Sequence, residues 1–257
     1  MQLMKRSQVT VGAIGLLLAT FQPAHAGVTC LGQVPTLTGT DGDETIIGSD
    51  GNDVIVGLGG NDLINGGLGD DVICGDEGND RIIGGLGNDR LSGGTGIDRV
   101  VGRDGADEVF GDIGDDFLLG GEGRDQLYGG SGRDLIKGRD GSDLLNGGAD
   151  ADEILGGDGT DEIIGGEGAD RVRAGRDGDR LFGGSDQDRL TGGRGNDSLF
   201  GGSDEDRLKG RGGNDMLQGD GGNDNLRGGR GRDRLDGSRG RDKCHGGPGR
   251  DSARSCE

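Results

Sequence analysis

The sequence predicts a repeat solenoid rather than a conventional globular fold, and three observations carry that expectation. Of the 257 residues 65 are Gly and 3 are Pro, about a quarter of the chain, a proportion that without a period marks low-complexity disorder. Hydrophobic residues, Ala and Cys included, make up only 28%, too few to fill one core of the size this length would otherwise suggest. The third observation is the period itself. From Gly39 to Arg254 the chain divides into nonapeptides with no insertion or deletion, 216 residues in 24 units.

Four of the nine columns are fixed by chemistry. Position 1 is Gly in 23 units, with Ala174 the exception, and position 4 is Gly in 20, with Asp150, Asp177, Asp186 and Asp204 in the others. Position 6 is Asp in 23 units and Glu44 in the first. Position 8 is Ile, Leu or Val in 22, followed by Cys244 and Ala253 in the last two. Gly at positions 1, 4 and often 2 suits a backbone with φ > 0 that turns its carbonyls inward, and one carboxylate per unit adds a charged oxygen. Such hard donors suit Ca²⁺, which takes about six to eight oxygens. One turn supplies too few, so neighbouring turns must share each ion.

With units such as Gly84-Gly85-Leu86-Gly87-Asn88-Asp89-Arg90-Leu91-Ser92, which read GGxGxDxUx with U a large aliphatic, the chain resembles the RTX or haemolysin-type calcium-binding nonapeptide family. One GGxGxD is a weak signal; 24 in register are a strong one. The resemblance implies an all-β fold, a parallel β-roll or two-sheet β-solenoid with 18 residues per turn and about 12 turns. It also implies that the first six residues of each unit form a Ca²⁺-binding turn and the last three a short strand. The metal-ligand candidates then form two stacked rows. The even units contribute Asp53, Asp71, Asp89, Asp107, Asp125, Asp143, Asp161, Asp179, Asp197, Asp215, Asp233 and Asp251. The odd units contribute Glu44, Asp62, Asp80, Asp98, Asp116, Asp134, Asp152, Asp170, Asp188, Asp206, Asp224 and Asp242. Each row of 12 has 11 gaps, an upper bound of 22 ions.

The competing reading, in which each Asp caps a turn through its own backbone, leaves the strict stacking unexplained. Asp at position 4 is a tolerated substitute, because Asp enters left-handed conformations more readily than most residues. Asp186 and Asp204 are expected to stack, which makes the surroundings of Asp188 and Asp206 the place to look for weak or irregular binding. One buried aliphatic per nine ordered residues does not offset the ordering entropy, and unneutralised carboxylates repel along both rows. The metal-free chain is therefore expected to be disordered or loosely collapsed.

Residues 1–26 read as a secretory signal peptide: Lys5 and Arg6, an apolar run from Val9 to Phe21, then Ala24-His25-Ala26 before Gly27. Residues 27–38 are read as an N-terminal cap, 39–254 as the roll and 255–257 as a tail. The apolar run is too short to span a bilayer, and no later segment approaches it, so no transmembrane segment is expected. These features predict an extracellular protein, with retention in a periplasm as a variant. The 48 acidic against 28 basic residues, a net charge of −20, disfavour nucleic acid as a partner and favour cations. An enzyme is the least favoured class: after residue 26 the chain has one His, no Trp and no segment outside the repeats long enough to carry a site.

Positions 7 and 9 flank the inward residue and point outward. Position 9 of successive even units holds Phe110, Tyr128, Asn146, Ile164, Phe182 and Phe200. The column is read first as a ladder that supports strand formation. The alternative is an adhesin or scaffold that binds a cell surface, a partner or itself through this stripe. An ice-binding surface does not fit, since Thr95 is the one Thr at position 3 and only seven Asn occupy position 5. Arg171, Arg189 and Arg207 recur at position 7 of odd units, and residues 227–254 carry nine basic side chains against four Asp. That end is a candidate for attachment to an anionic polymer or membrane.

Four Cys in an exported chain suggest disulfides that staple the ends of the roll. Cys244, at an inward position, is expected to meet Cys256 folding back over the open core, with free thiols the alternative. Cys30 and Cys74 then pair with each other. If residues 27–38 simply continued the stack, these two would lie about 9.6 Å apart, beyond disulfide reach. The segment must instead run back outside the first turns, with Val28, Leu31 or Val34 laid over them.

Overall fold

The computed structural model describes residues 29–257; the expected signal peptide and Val28 lie outside the described residues. An aliphatic side chain at position 8 between polar neighbours is a period-two pattern, and each unit forms a strand around it. Six-residue strands recur from Val54–Gly59 to Asn225–Arg230, flanked by shorter ones: Leu37–Thr38 and Thr45–Ile47 at one end, Arg234–Asp236, Lys243–His245 and Ser252–Arg254 at the other. Every strand pairs in parallel with the strands 18 residues away, as Leu118 does with Ile136 and Leu127 with Leu145. Strands alternate between two sheets, so the described residues form a 13-stranded and a 12-stranded sheet with no helix. This is the all-β parallel two-sheet solenoid of about 12 turns that the resemblance implies.

The strands are longer than the three residues per unit expected. They run from position 7 through position 3 of the next unit, with pairing interrupted only at position 1: Leu119 pairs with Lys137, then Gly121 with Arg139. A position without a side chain lets the backbone bend while the ladder resumes on the far side. Between the sheets the position 8 side chains interlock, and Leu118, Leu127, Ile136 and Leu145 have no accessible surface. Ala174 lies in the same core.

On the outer face of the 13-stranded sheet, Phe110 stacks on Tyr128 with ring centroids 5.2 Å apart, and Phe182 on Phe200 at 5.1 Å. These rings turn faces to each other, the packing expected of a strand-supporting ladder.

A disulfide lies near each end, Cys30 to Cys74 with a Cα separation of 5.6 Å and Cys244 to Cys256 at 5.8 Å, while Ala253, the last inward residue, is exposed. At the first end the chain does both things the sequence posed as alternatives. Leu37 and Thr38 continue the stack by one strand on Ile55 and Val56. Upstream of them the chain doubles back, and Cys30 lies buried over Val56, Val72 and Cys74. Leu31 and Val34, expected to cover the first turns, are 36% and 71% exposed. A tight turn explains this: Cys30 and Gln33 exchange backbone hydrogen bonds of 3.0 and 2.8 Å around Leu31 and Gly32, both at positive φ, so Leu31 projects away from the roll.

Candidate metal centre

Each turn is shaped by its glycine columns, but not in the uniform way the sequence suggests. From Leu58 to Gly240 positions 2 and 4 take positive φ, as at Gly121 (143°) and Gly123 (127°). The four Asp at position 4 adopt it as well: Asp150 at 74°, Asp177 at 69°, Asp186 at 74° and Asp204 at 76°, which bears out their reading as tolerated substitutes. Position 1 does not, and there space favours Gly, Ala174 being the one exception. A methyl group on Gly75 would lie 2.2 Å from Asp80 Oδ2 and 2.5 Å from the carbonyl oxygen of Gly93 in the next turn. Glycine at position 1 thus lets a carboxylate oxygen and a carbonyl approach the backbone closely.

The two acidic rows form as the period implies. In the even row, the N–H of Asp107 donates to Asp125 Oδ1 at 2.9 Å, and the N–H of Asp125 donates to Asp143 Oδ1 at 2.9 Å. The odd row does the same, with Asp62 donating to Asp80 Oδ1 at 2.8 Å. The link runs without a break from Glu44 to Asp242 and from Asp53 to Asp251. These carboxylates therefore do make backbone hydrogen bonds, but to the adjacent turn rather than to their own. Oδ2 is a different matter: in the 21 aspartates from Asp62 to Asp242 it is buried and has no hydrogen-bond partner. Asp188 and Asp206 keep the same link at 2.9 Å, so the backbone is regular where irregular binding was expected.

The ends depart from this pattern. Glu44 accepts the Thr40 N–H at 2.9 Å on one oxygen and the Thr40 hydroxyl on the other. Asp53 accepts the Ser49 N–H at 2.6 Å and the Thr36 hydroxyl at 3.1 Å. The residue one turn before Asp53 is Pro35, which has no N–H, and Thr36 supplies the missing donor. Asp251 is only partly buried.

Burial is the main cause of raised carboxyl pKa values along both rows. It pushes Asp152, Asp179 and Asp188 up to about 8 and Asp98, Asp116 and Asp161 up to about 7, the donated N–H pulling down and neighbouring carboxylates pushing up again. A buried oxygen without a donor is costly, and the rows demand either protons or cations. Among the described residues no point is approached by three or more His, Cys, Asp or Glu side chains, so a cation between turns must draw on backbone carbonyls as well. An all-oxygen set of carboxylates and carbonyls in open turns fits Ca²⁺.

One contributor escaped the sequence reading. Asn and Asp at position 5 bond turn to turn in the opposite direction: Asn61 Oδ1 accepts the Asn79 N–H at 3.0 Å, and Asn79 Oδ1 accepts that of Ile97 at 2.7 Å. The signal was present as Asx recurring at that position, a residue type that bonds nearby backbone.

Two parallel sheets joined by stacked oxygen-lined turns define a β-roll. The family model of the RTX calcium-binding nonapeptide repeat, which holds four copies, matches residues 38–73, 66–100, 83–118, 92–127, 119–154, 128–163, 155–190, 182–217 and 218–253. The chain therefore belongs to the RTX calcium-binding nonapeptide repeat family. Comparison with curated proteins finds none that matches.

Proposed function

We propose that the chain is an exported calcium-binding protein whose roll folds as Ca²⁺ enters between stacked turns. The observation that carries this reading is the unpartnered Oδ2 repeated in 21 successive aspartates, all but Asp179 in a unit whose position 1 is glycine and lets that oxygen approach the backbone closely. Asp62 to Asp242 in one row and Asp71 to Asp233 in the other hold the ions, together with backbone carbonyls of the same turns. Gaps flanked on both sides by such an oxygen number ten in the odd row and nine in the even row, fewer than the 22 that spacing alone allows. Bound Ca²⁺ neutralises facing carboxylates and ties each turn to the next.

Folding follows metal because one core aliphatic per nine ordered residues does not offset their entropy. Mg²⁺ substitutes poorly, since it keeps its water and demands tighter octahedral geometry. The signal-peptide pattern of residues 1–26 supports delivery to an extracellular space, where Ca²⁺ is available. Circular dichroism of the chain from Gly27 onward during Ca²⁺ titration, followed by chelation, tests the reading. The β signal is expected to grow cooperatively and vanish in chelator; a stable β fold in metal-free buffer at neutral pH refutes it.

A further inference from the structure

The outer face of the 12-stranded sheet changes character along the roll. The strands Arg171–Arg176, Arg189–Arg194, Arg207–Gly212, Asn225–Arg230 and Lys243–His245 hold 11 Arg or Lys and no acidic residue, in a chain of net charge −20. All eleven are exposed. Arg171, Arg189 and Arg207 stand in directly paired register, and Arg173, Lys209 and Arg227 belong to a second column two residues along. Two at the margin are ion-paired, Arg173 with Glu153 at 3.2 Å and Arg176 with Asp158 at 2.6 Å. Among the described residues, the other nine have no carboxylate within 4.0 Å.

Like charges directly opposite across strands destabilise a sheet. This face stores that repulsion over several strands, and an anionic counter-surface relieves it. We propose that the basic half of this sheet docks on an anionic lipid bilayer surface. The chemistry is phosphate recognition by arginine, whose planar guanidinium suits phosphate oxygens. Shape favours a surface over a thread: five strands about 4.8 Å apart give a patch roughly 20 Å long and nearly as wide, whereas a linear polyanion engages one column. Between this patch and the far end of the sheet, where Ile47, Leu63 and Leu86 are exposed by 62%, 40% and 48%, lie four strands of mixed charge that carry Asp104, Glu122, Asp140, Glu153 and Asp158. The basic patch by itself suits the headgroup region of an anionic bilayer. The basic strands carry no aromatic residue on which bases of a single-stranded nucleic acid stack, as Phe182 and Phe200 belong to the other sheet.

The proposal rests on the sheet and not on the calcium sites. Its test is vesicle flotation of the chain from Gly27 onward in excess Ca²⁺, with phosphatidylcholine vesicles and with vesicles also containing phosphatidylglycerol. Binding only to the anionic vesicles, released by added salt, is expected. Replacing Arg189, Arg207 and Lys209 by Gln should weaken it by roughly 100-fold. Replacing Arg124, Arg180 and Arg234 by Gln makes the same change in net charge off this face and should weaken it far less. Circular dichroism establishes that both variants keep their β signal; if the first variant does not, salt release of the unaltered chain and competition between vesicles and soluble polyanion decide. Equal binding to neutral vesicles, equal loss in both variants, or tighter binding of heparin or single-stranded DNA than of anionic vesicles overturns the proposal.

Discussion

Asp107 and Asp125 are joined by a single hydrogen bond, from the N–H of Asp107 to Oδ1 of Asp125, and that bond leaves the second oxygen of Asp125 buried and unpartnered. One carboxylate thus does two separable jobs. Asp125→Asn keeps an oxygen for the Asp107 N–H but removes the charge; Asp125→Ala removes both. Each should lower the cooperativity of Ca²⁺ binding seen by circular dichroism. In saturating Ca²⁺, Asp125→Ala should be less stable to urea than Asp125→Asn by about 1 to 3 kcal/mol, the cost of a buried N–H left without a partner. Equal urea midpoints for the two variants count against the hydrogen-bonded ladder. Asp251→Ala, at the end of its row, should shift the Ca²⁺ midpoint less than either.

Ala174 is buried at the one position 1 without glycine, in the unit whose carboxylate is Asp179. Its methyl stands where other units bring a carboxylate oxygen and a carbonyl against bare backbone. Ala174→Gly should therefore raise the number of ions bound at saturation, measured by equilibrium dialysis. The reverse change, Gly120→Ala, places a methyl 2.2 Å from Asp125 Oδ2 and 2.9 Å from the carbonyl oxygen of Gly138, and should lower that number. Unchanged stoichiometry in both variants means that ions do not occupy this space.

Acid should replace metal in part. Burial raises Asp152, Asp179 and Asp188 from 3.8 to about 8 in the fold, so the folded chain holds protons that the unfolded chain releases. For a raised carboxyl, the favourable contribution is complete below the unfolded value and declines as pH climbs to the folded one. In chelator, β structure should be greatest near pH 4 and decline as pH rises toward 8. Adding Ca²⁺ at neutral pH should restore it and release protons, which calorimetry in buffers of different ionisation enthalpy detects. A β signal that rises with pH in chelator contradicts the prediction.

The disulfides should act locally. Cys30 to Cys74 closes a separation of 44 residues and Cys244 to Cys256 one of 12, for which loop entropy suggests stabilisation of about 4 and about 3 kcal/mol. In a stack held by nearest neighbours, Cys30→Ser with Cys74→Ser should speed hydrogen exchange in the strands Leu37–Thr38, Val54–Gly59 and Val72–Glu77 while the middle of the roll stays protected. Faster exchange throughout would show that the solenoid unfolds as one unit.

The nonapeptide period determined most of this architecture without any structure. A side-chain pattern that repeats every nine residues repeats its backbone too, so the stacked rows, the buried column from Ile46 to Leu235 and the pairing of Cys244 with Cys256 were all legible. What period alone did not reveal is how each atom is used, because that depends on where the next turn lies. Only stacking shows that position 1 is glycine for space rather than for φ, and that Oδ1 and Oδ2 of one aspartate have different fates. Only stacking shows Thr36 standing in for the N–H that Pro35 lacks, and Asn61 reaching a turn that lies 18 residues away. A sequence states what each turn offers in its own frame; the tertiary structure decides which offers are taken up, since from Asp62 to Asp242 the donors and acceptors of both rows come from neighbouring turns about 4.8 Å away.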